Sequence, residues 1–168
     1  LQNLTPPCQY LTFFNNNPVN SVMNATFSAI DSWLQAHASG ADNTPAIILA
    51  ARQGRADVLG YFIAQGEAID QLDQYGNNAL WAACYAEAGD CIDLLLRAGM
   101  DIDYQNCAGS TALMYASSAG KTGVVSQLIQ AGADAELRNQ DDFSALDLAA
   151  NRECLQLLRK LQKVKKSI

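Results

Sequence analysis

The sequence holds a single histidine, His37. Chemistry that needs two imidazoles is therefore excluded. Nucleophilic catalysis needs a Cys or Ser beside a base and an orienting group. The lone imidazole sits far along the chain from Cys107 and Cys154, so His37 reads as a helix-end residue. None of the five cysteines (Cys8, Cys84, Cys91, Cys107, Cys154) has a partner at CxxC spacing, so zinc-ribbon and thioredoxin-type motifs are absent. No EF-hand pattern is present, which disfavours calcium. The segment AGKTG, residues 119–123, lacks the full phosphate-loop frame and follows no strand pattern. No apolar run approaches the roughly 18 residues that a membrane span requires. The sequence thus calls for no catalytic residue, no metal and no cofactor.

What is present is one domain's worth of chain, 168 residues, 49% of them hydrophobic. That apolar fraction is too high for wholesale disorder. The net charge of -6 conceals an asymmetry. Residues 155–168 carry Arg159, Lys160, Lys163, Lys165 and Lys166 and no acid. The preceding residues hold the other six cations against all 17 acids, a net −11. A body this acidic repels a phosphate backbone, so nucleic acid is not expected as the main ligand. A charged partner would be basic. The start at Leu1 is what a processed secreted or periplasmic protein would show; without processing, a cytoplasmic location is expected.

The dominant signal is a repeat of 33 residues. Gly66, Gly99 and Gly132 keep that spacing, as do Gly76, Gly109 and Asp142. Ala46, Ala79, Ala112 and Ala145 share one register, and Ala50, Ala83, Ala116 and Ala149 another. Within each unit the apolar spacing reads as two short helices. In unit three the first is Thr111–Gly120, with Thr111 placed to cap it. Asn78 and Ser144 fill the same slot, and in unit one Thr44 precedes Pro45 at the first helical position. The second helix of unit three, Thr122–Gly132, aligns Val124, Val125, Leu128 and Ile129 on one face.

Unit three reads G-S-T-A-L-M-Y-A-S-S-A-G-K-T-G-V-V-S-Q-L-I-Q-A-G-A-D from Gly109 to Asp134, and unit two reads similarly from Gly76 to Asp101. This pattern resembles the ankyrin repeat over roughly residues 40–162. The resemblance implies an all-α solenoid of helix-turn-helix units joined by hairpin loops, with a non-catalytic, protein-binding role. Two departures stand out. The family's T-P-L-H histidine is Ile48, Trp81, Met114 and Asp147 here, so the hairpins need another tie. The turn glycine is Glu87 in unit two and Glu153 in unit four, and Gly89 would shift the turn in unit two.

Terminal units of a stack must be atypical, because a repeat cannot bury its apolar face alone. Residues 1–39 are expected to form a lead segment and a capping helix over 21–37, packed on unit one. Residues 40–168 form four repeats, the last a cap whose second helix, about 153–166, carries the basic tail. Capping and helix-dipole complementarity explain that tail better than membrane or nucleic-acid binding. Paired loop acids such as Asp101/Asp103, Asp134/Glu136 and Asp141/Asp142 are solvated loop residues or a ridge for a basic partner. Cys84, late in the first helix of unit two, and Cys91, early in the second, are expected to come within reach of each other across the turn. They are a candidate disulfide, or two small buried residues in place of Ala and Val.

Mapped by register, the resemblance implies a concave partner face. In unit one it holds Asp42, Arg52 and Gln53, and in unit two Gln74, Tyr75, Asn77, Trp81 and Tyr85. Unit three contributes Cys107, Ser110, Met114 and Ser118, and unit four Asp141, Phe143, Asn151 and Arg152. Aromatics dominate binding hot spots, which makes Tyr75, Trp81, Tyr85 and Phe143 the anchors, with Asp73 nearby. Trp81 has a second reading, as filler for the missing loop histidine. The leading expectation is a module that binds another protein, in the manner of an inhibitor or immunity-type protein. The alternative is a redox-responsive thiol or disulfide protein of an oxidising compartment. An enzyme is disfavoured by the lone histidine.

Overall fold

The computed structural model describes residues 18–37 and 44–165, in two compact units divided after Gly40. The first unit shows one helix, α1 (Pro18–His37). His37 is its last residue; its ring stacks on Trp33 at 4.2 Å, and its Nδ1 donates to the Trp33 carbonyl at 2.8 Å. Most of the expected lead segment, residues 1–17, lies outside the described residues, and so does Asp42.

The second unit is a stack of helix pairs: α2 (Ala46–Arg52) with α3 (Ala56–Ala64), α4 (Ala79–Tyr85) with α5 (Gly89–Arg97), and α6 (Ala112–Ser118) with α7 (Thr122–Gln130). A single helix, α8 (Arg152–Lys165), closes it. The described residues contain no strand, only an isolated bridge between Arg138 and Ser144. First helices pack on first helices, α2 on α4 on α6, while α3 meets α5 and α7 meets α8. Small residues permit that approach: Ala50, Ala83 and Ala116 are fully buried. Leu59, Ile92, Leu95, Leu128 and Leu158 fill the space between the second helices and their neighbours, also fully buried.

Side-chain caps start two of the first helices. Asn78 Oδ1 accepts the Trp81 amide at 3.0 Å, and Thr111 Oγ1 accepts that of Met114 at 3.2 Å. Unit one differs from expectation. Its helix begins at Ala46 with Pro45 in the capping position and no side-chain cap bond from that residue, so Thr44 lies one position too early.

The turn in unit two is not shifted by Gly89, which instead opens α5. Glu87 itself takes the left-handed conformation, at φ 54°, that Gly54 and Gly120 take in the flanking units. Its carboxylate reaches Lys121 of the next unit at 2.8 Å. An L-residue in this region costs roughly 1–2 kcal/mol, whereas an ion pair this exposed returns less than about 1 kcal/mol.

The fourth unit departs further. Its expected first helix is a single turn after Ser144. That turn carries a reciprocal cap, in which Ser144 N–H and Oγ–H donate to Asp147 Oδ2 at 2.9 and 2.7 Å. These bonds hold the Asp147 carboxyl below the usual carboxylate range. The helix stops because unit three captures its backbone. The buried Ser117 hydroxyl donates to the Ala145 carbonyl at 2.6 Å, and the Ala150 amide donates to the Ser117 carbonyl at 3.1 Å. Both groups are thereby removed from the i to i+4 ladder. Asn151 then starts α8 by accepting the Cys154 amide at 2.7 Å, so Glu153 lies in a helix and needs no turn conformation.

Two stability outcomes follow from this packing. Ala116→Leu should lose roughly 1–3 kcal/mol to overpacking, whereas Ser118→Leu, on the exposed side, should lose little; equal melting temperatures would contradict the register. Glu87→Gly should gain about 1 kcal/mol, seen as a melting temperature roughly 2–4 °C higher. A lower melting temperature would show that the Lys121 pair outweighs the backbone strain.

Candidate functional site

Each hairpin tip is built around one Asx side chain. Asp73 Oδ1 accepts the Tyr75 and Asn77 amides at 2.8 and 2.9 Å. Asn106 Oδ1 does the same for Ala108 and Ser110, both at 3.0 Å, and Asn139 Oδ1 for Asp141 and Phe143, at 3.1 and 2.9 Å. These bonds satisfy amides that the tight turn would otherwise leave to solvent. Successive tips pack closely. A Cβ on Gly76 would come within 2.5 Å of Cys107 Sγ, and one on Gly109 within 3.0 Å of the Gln140 amide nitrogen. Both glycines also have φ near +74°, which glycine adopts without strain. Asp142 occupies the same slot in the last hairpin at φ 65°, where no further hairpin follows among the described residues.

Amide side chains supply the missing tie between hairpins. Asn106 Nδ2 donates to Asn77 Oδ1 at 2.8 Å, Gln105 Nε2 to the Arg138 carbonyl at 2.9 Å, and Gln140 Nε2 to the Cys107 carbonyl at 2.9 Å. The paired acids of the connecting loops also have structural work. Asp103 Oδ1 accepts the Asp134 amide at 2.8 Å, and Asp101 and Asp134 each accept an amide two residues on.

A groove of about 500 Å³ opens beside the tips, spanning three units. Arg52 of α2 stands at one end. Asp73, Tyr75 and Asn77 of the next hairpin, Trp81, Ala82 and Tyr85 of α4, and Asn106 of the following hairpin complete it. Behind it, Trp81 packs on Tyr115 of α6 with ring centroids 4.0 Å apart, and Tyr85 stacks on Tyr115 at 6.2 Å. Burial pushes the Tyr115 phenol pKa up. The Trp81 indole nitrogen is enclosed and has no hydrogen-bond partner. Tyr75 and Tyr85 remain 63% and 56% exposed, too much for residues serving the core.

The expected site residues separate into three groups. The groove brings Tyr75, Asn77, Trp81 and Tyr85 together, although Asn77 is buried and committed to the hairpin tie. Gln74, Ser118, Asp141, Phe143 and Arg152 are exposed outside its lining, and Ser110 is half-buried. Met114 does not belong to the surface. It is 1% exposed, buried like Ile48 in the same column, whereas Trp81 and Asp147 of that column stay at least partly exposed. Asn151 is a cap residue that also donates to the Gly120 carbonyl at 2.8 Å. Tyr115 and Asn106 were not expected here. Tyr115 is one residue past the histidine column, and its only signal was an aromatic one unit and one position beyond Trp81.

Cys84 and Cys91 are free, buried thiols, and Cys154 is buried as well. Burial pushes the Cys84 thiol up to about 12 and, with Asp90 and Asp57 nearby, that of Cys91 up to about 11. Because the thiolate is the reactive form, burial disfavours reaction at both in the folded state. Among the described residues, no three His, Cys, Asp or Glu side chains gather to hold a metal ion, and no helix is long and apolar enough to cross a membrane. In a Cys8→Ser chain, a thiol reagent should label exposed Cys107 in the native protein and the other three only on unfolding. Rapid native labelling of Cys84 or Cys91 would revive the thiol alternative.

Comparison with known proteins agrees with this architecture. A family model described as ankyrin repeats (3 copies) matches residues 15–106 and 86–167. A search of curated proteins finds no match. Among solved structures, the ankyrin repeat domain of Bcl-3, titled a unique member of the IkappaB protein family, superposes with a TM-score of 0.66 at 28% identity. The alignment covers 69% of this chain and 51% of that one, so the chain spans about half the length of that domain. With the repeating helix pairs and hairpin tips already seen, the family match over most of the sequence leaves one conclusion: the chain belongs to the ankyrin-repeat family.

Proposed function

We propose that this chain binds a partner protein through the face formed by its hairpin tips and first helices, with the Trp81–Tyr85 groove as the anchor site. Ankyrin repeats are in general protein–protein interaction modules and typically non-catalytic scaffolds, which gives the class of activity. The observation that carries the specific reading is the cluster of Tyr75, Trp81 and Tyr85 around one groove. Aromatic side chains bury large area with few rotors to freeze, so they anchor interfaces at low entropic cost. The tips are already locked by Asx and amide bonds, so association orders little additional backbone.

Exposed acids near this face, including Asp141 and Asp142, would steer a partner with a basic surface. Association should therefore slow as salt rises, while dissociation changes little.

The test is a titration of single alanine variants against the partner isolated from the native host. Tyr75→Ala and Tyr85→Ala are the most direct, because both side chains are largely exposed and their loss should not unfold the stack. A desolvated anchor should cost about 2 kcal/mol or more, roughly 30-fold in Kd, and a rim acid such as Asp141 less than about 1 kcal/mol. Wild-type binding by the aromatic variants, together with loss of binding in Asp93→Ala or Gln127→Ala on the second helices, would place the interface elsewhere.

A further inference from the structure

We infer that the groove accepts one carboxylate from the partner, the side chain of an Asp or Glu held by Arg52. The inference rests on the binding reading above and gives its central contact a chemistry. The net charge of the chain would suggest the opposite occupant, a cation. Within the groove the two charged side chains, Arg52 and Asp73, form an ion pair and sum to zero, and they differ in exposure and in how far each is hydrogen-bonded. The Asp73 carboxylate is only 3% exposed. Its oxygens are already taken by the Tyr75 amide, the Asn77 amide and, at 3.3 Å, Asn77 Nδ2. Those three donors, together with its burial, offset much of its charge and leave little of it accessible to an incoming ammonium or guanidinium.

Arg52 is the reverse case. Its side chain is 40% exposed, and although it is ion-paired with Asp73, the 3.7 Å separation is beyond hydrogen-bond length, so its N–H donors are not used by that pair. A guanidinium presents five N–H donors in a planar fork that matches a carboxylate. The exposed charge at the end of the groove is thus a cation with its donors unspent. A partner cation would meet like charge there; a carboxylate would form a charge-assisted, two-pronged contact. Tyr85 and Trp81 lie along the same groove and offer apolar ring surface to the residues flanking that acid.

The position of Arg52 also selects the source of the carboxylate. The groove passes from α2 through α4 to the Asn106 hairpin, crossing three units. A segment that fills it enters over one unit and leaves over another. Because Arg52 stands at one end of the groove, a segment that continues past it over unit one presents the acid there as a side chain rather than as a chain terminus. Its neighbours in sequence would be apolar or basic, to suit the rings and the acidic surroundings.

The experiment uses the isotope-labelled chain and three pentapeptides, observed through the Arg52 Nε–H and Trp81 Nε1–H resonances. The first is blocked at both ends and reads Lys-Phe-Glu-Phe-Lys. The second replaces Glu by Gln, and the third is the Gln peptide with a free C-terminal carboxylate. The Glu peptide should shift both resonances and bind about tenfold more tightly than the blocked Gln peptide, a difference of about 1.4 kcal/mol. Arg52→Gln should abolish that preference, and Arg52→Lys should keep part of it. If the two blocked peptides bind equally, or neither shifts the two resonances up to its solubility limit, the carboxylate inference fails. Equal binding with Trp81 still shifted leaves the aromatic anchor site standing. A free-terminus peptide that matches the Glu peptide would assign the carboxylate to a chain end instead. Shifts confined to Asp93, Gln127 and their neighbours would overturn both the inference and the groove.

Discussion

Close contact between successive hairpin tips organises the face they share with the first helices. At Gly76 and Gly109 the next tip lies where a Cβ would stand, so the tips stack at a spacing that other residues would widen. That spacing brings Asn106 to Asn77 and Gln140 to the Cys107 carbonyl, and these amide bonds hold one tip to the next. The same spacing sets the distance between α4 and α6, which lets Trp81 close on Tyr115. The groove is thus a consequence of nearest-neighbour geometry, as expected in a fold whose units contact only their neighbours.

Much of this was legible in the sequence because it depends on period. A 33-residue register fixes which alanines face each other, where caps fall and where tips recur, independently of side-chain detail. Ala116, Thr111 and Tyr75 all lie where the register puts them. The errors arose where a contact between units overrode the register. Unit four fails to complete its first helix because Ser117 takes the Ala145 carbonyl and the Ala150 amide, and a hydroxyl at position 117 carries no such message when read alone. Glu87 was expected to displace its turn, yet packing on both sides fixes the backbone and the side chain accepts the left-handed state.

Surface exposure was legible at some of the candidate site positions and not at others. The family's exposed positions, mapped by register, identify Tyr75 and Tyr85 as surface residues, and both are largely exposed. Met114 differs from expectation because the column that carries histidine elsewhere in the family is not uniform here: Ile48 and Met114 pack inward, while Trp81 and Asp147 keep exposed surface. Net charge carries a different kind of information. It describes the long-range field, while the groove's local chemistry depends on which charges are already hydrogen-bonded. Asp73 is spent and Arg52 is not, a distinction that only the hydrogen-bond pattern makes.

The central claim is that the hairpin tips and first helices form the partner surface, and amide hydrogen exchange of the chain with and without its native partner tests it most directly. The account predicts slowed exchange over Asp73–Tyr85 and at the Asn106 hairpin, with α3, α5 and α7 unchanged. Protection confined to the second helices α5 and α7, with Asp73–Tyr85 exchanging as in the free chain, would contradict it.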